Sequence, residues 1–116
     1  MKATDLMIGD KVMVKVLSQI PDTYVLQTWT ANDYSRDIQV KPISLTHEIL
    51  EKNGWKETQY WLEYQDGKNT IQCCLPDMRG IINGIEIENF KCEYAHQYQH
   101  LLRLCGLNEL ADNFKV

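Results

Sequence analysis

The chain has 116 residues, 44% of them hydrophobic and 24% charged, which is ordinary for a single globular domain able to bury an apolar interior. Twelve Lys+Arg against sixteen Asp+Glu leave a net charge of −4, which argues against a non-specific grip on nucleic acid or anionic membrane. Met1 to Asp10 contains no apolar signal-peptide core and no apolar run approaches the roughly 20 residues of a spanning helix, so the cytoplasm is the expected compartment.

In chain order, Gly9-Asp10 suits a turn feeding a strand in which Val12, Val14 and Val16 alternate with Met13 and Lys15. Pro21-Asp22 breaks that run and Tyr24 to Trp29 restarts it. Ala31 to Arg36 reads as a polar loop, and Ile38 to Ile43 as a third strand with Pro42 at an edge or end. Three short antiparallel strands suggest a small half-barrel of the SH3-like sort over residues 1–43.

Thr46 to Gly54 is punctuated as a short helix, with Thr46 as N-cap, Leu45 able to staple to Leu50, and Gly54 closing the end so that Trp55 packs back. Gln59 to Tyr64 and Thr70 to Leu75 flank Asp66-Gly67, a hairpin signal, with Tyr60, Leu62 and Tyr64 on one face. Pro76 to Gly80 reads as a loop, and Asn83-Gly84 as a second tight turn.

Glu93 to Gly106 forms one amphipathic helix. Advancing about 100° per residue, Tyr94, Tyr98, Leu101, Leu102 and Cys105 make a stripe, with His96, Gln99, His100 and Arg103 opposite. Gly106 stops the helix and Leu107 can return onto Leu102. Asn108 can cap a last turn in which Leu107, Leu110 and Phe114 share a face. The expected fold is α+β, a single domain over 1–116 divided into 1–43 and 44–116, with the C-terminal helix packed on the sheet.

Each chemical constellation competes with a structural use of the same residues. His96 and His100 have the spacing that lets two imidazoles share a zinc ion, with Glu93 or Asp112 the nearest candidate third ligand; Gln97, however, stands where a zincin has its glutamate base. No metal and no cofactor is expected. His96, Gln99, His100 and Arg103 could together touch an acidic or phosphate-bearing partner, though a solvated polar face is the commoner use of such residues. Trp29, Trp61, Tyr60 and Tyr64 could stack bases, but few basic residues are interleaved, and packing is the expected role. Cys105 lies on the apolar stripe, away from both histidines, so no thiol–imidazole pair is assembled locally and no catalytic residue is assigned. Cys73, Cys74, Cys92 and Cys105 read as reduced thiols, and Cys73 and Cys74 should face opposite ways. Ile81 and Ile82 could belong to the core or to a dimer patch.

Three pieces, Leu6-Met-Ile-Gly-Asp10, Ile43-Ser-Leu-Thr-His-Glu-Ile-Leu-Glu-Lys-Asn-Gly-Trp55 and Tyr94-Ala-His-Gln-Tyr-Gln-His-Leu-Leu-Arg-Leu-Cys-Gly106, occur in that order. Together they resemble a group of short uncharacterised proteins of Bacteroides-type bacteria, their phages and mobile elements. Those proteins have a Gly-Asp start, a "PLTPEILEKNGF"-like helix and a terminal "YVHQLQHLLRLCG"-like helix. This chain departs in having His47 for proline, and Ala95 and Tyr98 for valine and leucine. The resemblance implies a small cytoplasmic accessory protein and brings no role for His96. The expected function is a non-enzymatic protein-interaction module with an unknown protein partner and no membrane. The alternative is a nucleic-acid-associated accessory protein, and the third is metal-binding or enzymatic action through His96 and His100.

Overall fold

The computed structural model describes residues 5–16, 24–35, 38–74 and 77–116. In chain order the elements are β1 (Lys11–Val16), β2 (Val25–Thr28), β3 (Ile38–Lys41), α1 (His47–Lys52), β4 (Lys56–Glu57), β5 (Leu62–Gln65), β6 (Thr70–Cys74), β7 (Asp77–Ile82), β8 (Ile85–Lys91), α2 (Ala95–Leu104) and α3 (Asn108–Asp112). The fold is α+β, with the described strands in two open antiparallel sheets of order β2-β1-β3 and β4-β5-β6-β7-β8. The breaks expected at Pro21-Asp22, Arg36 and Pro76 lie outside the described residues.

The chain divides into a first unit, Met1–Ser44 with Tyr94–Phe114 and Val116, and a second, Leu45–Glu93 with Lys115. The boundary differs from the expected 1–43 and 44–116, because the C-terminal helices belong with the N-terminal strands. Backbone pairing explains the exchange: Ser44 bridges Tyr94, and the Ala95 N–H donates to the Ile43 carbonyl at 2.7 Å.

In the first unit β1 is central. Its register sets Val14 opposite Val25 and Val40, and Met13 opposite Leu26 and Lys41. The two-residue period turns Val12 and Val14 into a core with Leu6 and Trp29, against which Val40 packs; Lys11, Met13 and Lys15 face the other way. Ala31–Ser35, expected as a loop, winds into a 3-10 turn around buried Asp33, which accepts from the Thr30 N–H, the Thr30 hydroxyl and the Gln27 amide. At the start of α2 the Gln97 side chain accepts from the Tyr94 N–H. At its end Gly106 adopts φ +81°, and Leu107 N–H reaches the Leu102 carbonyl at 2.8 Å, the expected Schellman closure. The cap of α3 is Leu107 with no side-chain bond, in place of the expected Asn108.

In the second unit, Thr46 caps α1 by accepting from the Ile49 N–H. Gly54 at φ +97° ends it, and Trp55 is buried against the Tyr64 ring with centroids 4.6 Å apart. Among the described side chains of the five-stranded sheet, Leu62, Ile71, Cys73 and Ile82 are buried. Asn83 (φ +49°) and Gly84 (φ +83°) make the tight turn between β7 and β8, as their left-handed preference predicts. The Asp66-Gly67 turn between β5 and β6 is longer: the Asp66 carboxylate accepts from the Lys68 and Asn69 N–H groups, whose hydrogen bonds lower its pKa to about 2. Tyr60 and Trp61 precede β5 in a turn closed by Thr58, and Tyr60 is 71% exposed, so the expected Tyr60–Leu62–Tyr64 face is incomplete. Asp77–Ile82 is a strand where the segment up to Gly80 was expected to be loop. Ile82 is buried and Ile81 exposed, so they do not share a patch.

Candidate functional site

The Gly9-Asp10 turn determines what α2 must supply. Asp10 donates its N–H to the Met7 carbonyl, and its carboxylate accepts from the Met7 N–H at 2.8 Å. Trp29 and the turn exchange backbone bonds, with Gly9 N–H to Trp29 O and Trp29 N–H to Asp10 O. These bonds hold the Asp10 side chain in the interior, where none of it meets solvent. A carboxylate in that position needs a cation or several donors, since desolvation penalises its charge.

Helix α2 provides both. Arg103 Nη1 lies 2.6 Å from Asp10 Oδ1 and His100 Nε2 lies 2.6 Å from Oδ2. Burial pushes the Asp10 carboxyl up, but the hydrogen bonds from His100, the Met7 N–H and Arg103 outweigh it and leave its pKa below the usual 3.8. The second guanidinium nitrogen of Arg103 points to exposed Asp112 on α3, 3.4 Å away. Gln99 is wholly buried. Its Nε2 donates to the Gly9 and Ala111 carbonyls, and its Oε1 accepts from the Lys11 N–H, so one amide joins the turn, β1 and α3.

The sequence grouped His96, Gln99, His100 and Arg103 on one helix face, and they do share one. Its direction is the correction: Gln99, His100 and Arg103 reach the Gly9-Asp10 turn, and His96 is buried beside the Tyr94 and His100 rings. Arg103 retains 10% side-chain exposure and His96 4% as a residue. Cys105, expected on the buried stripe, is only half-buried.

His96 stacks parallel to the Tyr94 ring at 6.0 Å and meets the His100 ring edge-on at 5.5 Å. Its Nδ1 is buried with no hydrogen-bond partner among the described residues. Burial lowers its pKa below the usual 6.5, and the neighbouring charge of Asp10 only partly opposes that. His96 and His100 line an open cleft of about 490 Å³ with Asp5, Pro42, Tyr94 and Gln97. Among the described residues the cleft offers imidazole, phenol and carboxylate groups but no thiol or aliphatic hydroxyl. His100 already spends Nε2 on Asp10, and among the described residues no set of three or more His, Cys, Asp or Glu is placed to hold a metal ion.

A different concavity, about 360 Å³, lies in the same unit and is lined by Met13, Tyr24, Leu26, Lys41, Pro42, Ile43 and Val116. The Lys15 and Lys41 ammonium groups stand 5.9 and 5.7 Å from the Tyr24 ring centroid. Sequence reasoning missed this groove because it weighed the aromatic rings and passed over Met13 and Leu26; the signal was Met13, an apolar residue on an odd position of a strand whose even positions already formed the core. Of the aromatics it did weigh, Trp29 is buried edge-on to Tyr34 at 5.5 Å.

None of the four cysteines is in a disulfide, and Cys73 is buried and its neighbour Cys74 half-exposed as strand alternation requires. Comparison of the chain with protein-family models, with curated proteins and with solved structures returns no match. No helix among the described residues is long and apolar enough to cross a membrane.

Proposed function

We propose that this chain is a non-enzymatic protein-interaction module of the cytoplasm, acting through the outer face of its three-stranded sheet. The observation that carries it is the apolar groove of Met13, Leu26, Pro42 and Ile43, with Leu26 54% exposed opposite Met13 of β1, the strand whose other face already closes the core. An exposed apolar groove of this kind gains free energy when a partner removes it from water. The helix face of His96, Gln99, His100 and Arg103 is better explained as the scaffold beneath that sheet, because its charge and amide are engaged by Asp10, Gly9 and Ala111.

A second reading, a nucleic-acid-associated accessory protein, draws support from Lys11, Lys15 and Lys41 on the same outer face. The resemblance to short phage and mobile-element proteins fits either. The deciding experiment is an affinity capture from the source organism, with and without nuclease, followed by reconstitution with the purified partner. A protein that survives nuclease and binds the purified chain supports the module. Partners that vanish with nuclease move nucleic acid to first place, and failure to reconstitute any partner defeats the proposal.

A further inference from the structure

Strands β1, β2 and β3 together contain no Asp or Glu, although the whole chain carries net charge −4. Strand alternation sends Lys11, Lys15 and Lys41 to the outer face, where Met13, Leu26 and Tyr24 form the apolar floor. The row Leu26–Met13–Lys41 runs straight across the sheet, so an apolar contact and a cation lie in one register line. Resting on the protein-module reading above, we infer that the partner is an acidic protein segment that places one apolar side chain in the groove and its carboxylates over Lys11 and Lys41.

Charge complementarity selects this occupant. A basic face on an acidic protein is attractive to anionic partners and repels other copies of itself. Single-stranded nucleic acid also brings negative charge, but it grips sheets of this type by stacking successive bases on exposed rings. This face has the ring of Tyr24, beside which two ammonium groups already stand, and a floor otherwise made of thioether and aliphatic carbon. That floor suits a leucine or phenylalanine side chain better than a row of bases.

The test is selection of short random peptides displayed on phage against the intact chain, with synthetic versions of the enriched sequences measured by fluorescence anisotropy. The expected result is enrichment of Asp and Glu around one large apolar residue. Affinity should fall roughly tenfold in Lys11→Glu/Lys41→Glu and again in Leu26→Asp, because surface ion pairs and one apolar anchor each contribute on that scale. These positions are exposed or half-buried, and an unchanged thermal midpoint would show that each variant is folded. Val25→Asp, on β2 but outside the groove lining, should bind as wild type does. Enriched peptides that are neutral or basic, or that keep full affinity for both groove variants, would overturn the inference while leaving the module reading intact. Displacement of the peptides by oligo(dT) would replace it with nucleic acid. No enrichment at all would sink the inference, and the reconstitution experiment would then judge the module reading separately.

Discussion

Asp10 and Arg103 are separated by 93 positions in the chain and by 2.6 Å in the fold. One is the turn that starts β1, the other the last turn of α2, and neither charge would be tolerable at its depth without the other. Arg103→Ala should therefore cost about 3 kcal/mol, because it leaves a buried carboxylate without its guanidinium partner. Asp10→Asn in the same chain should recover part of that loss. Urea unfolding of the wild type, both singles and the double would give the coupling energy; a coupling near zero would show that the pair contributes nothing.

His96 makes stability depend on pH in a predictable direction. Its folded pKa lies below the ordinary 6.5, so between the two values the unfolded chain holds a proton that the folded chain lacks. Stability is then complete above about pH 6.5 and falls as pH drops through the folded pKa. Asp10 adds a second loss at lower pH, since its depressed carboxyl stabilises the fold above 3.8 and ceases to do so as pH falls through its folded value. His96→Phe keeps the ring against Tyr94 and removes the titration. Thermal midpoints from pH 7.5 to 5 should slope for the wild type and flatten for this variant.

Gly80 and Gly84 are glycine for different reasons, and alanine separates them. A Cβ at Gly80 would stand 1.7 Å from the Gln72 carbonyl oxygen on the neighbouring strand, where backbone cannot step aside. Gly80→Ala should cost roughly 3 kcal/mol through overpacking in the middle of the five-stranded sheet. A Cβ at Gly84 meets nothing within 4 Å, and its cost comes from φ +83° alone, about 1 kcal/mol. Equal melting points for the two variants would contradict this assignment.

The thiols should react in order of burial. Cys92 is pushed up to about 12 by burial and by the neighbouring Cys73 thiol, so it holds almost no thiolate at neutral pH. Alkylation of the native protein followed by peptide mapping should modify Cys74 and Cys105 first, and Cys73 and Cys92 only as the chain unfolds. Early labelling of Cys92 would show that its pocket opens in solution.

Local chemistry was legible wherever a signal and its structural response lie within a few residues. Thr46 and Gly54 at the ends of α1, Gly106 and Leu107 at the end of α2, and Asn83-Gly84 between strands each act through one turn of backbone. For that reason the α+β class, the antiparallel N-terminal strands and the short connecting helix could be read directly. Period-two alternation also identified Val12 and Val14 as the core side of β1. What the residue order could not carry was the destination of α2. A helical wheel says that His96, Gln99, His100 and Arg103 share a face, and hydrophobicity assigns such a face to water; only an acceptor brought from elsewhere in the chain reverses that. Asp10 is this acceptor, and because the Ser44–Tyr94 pairing returns α2 to the first strands, the most polar stretch of the helix lies inside the protein. Which residues lie within a helical turn is set by bond geometry along the chain, whereas the direction a polar face points depends on which distant charge must be neutralised, and that is decided only when the chain closes on itself.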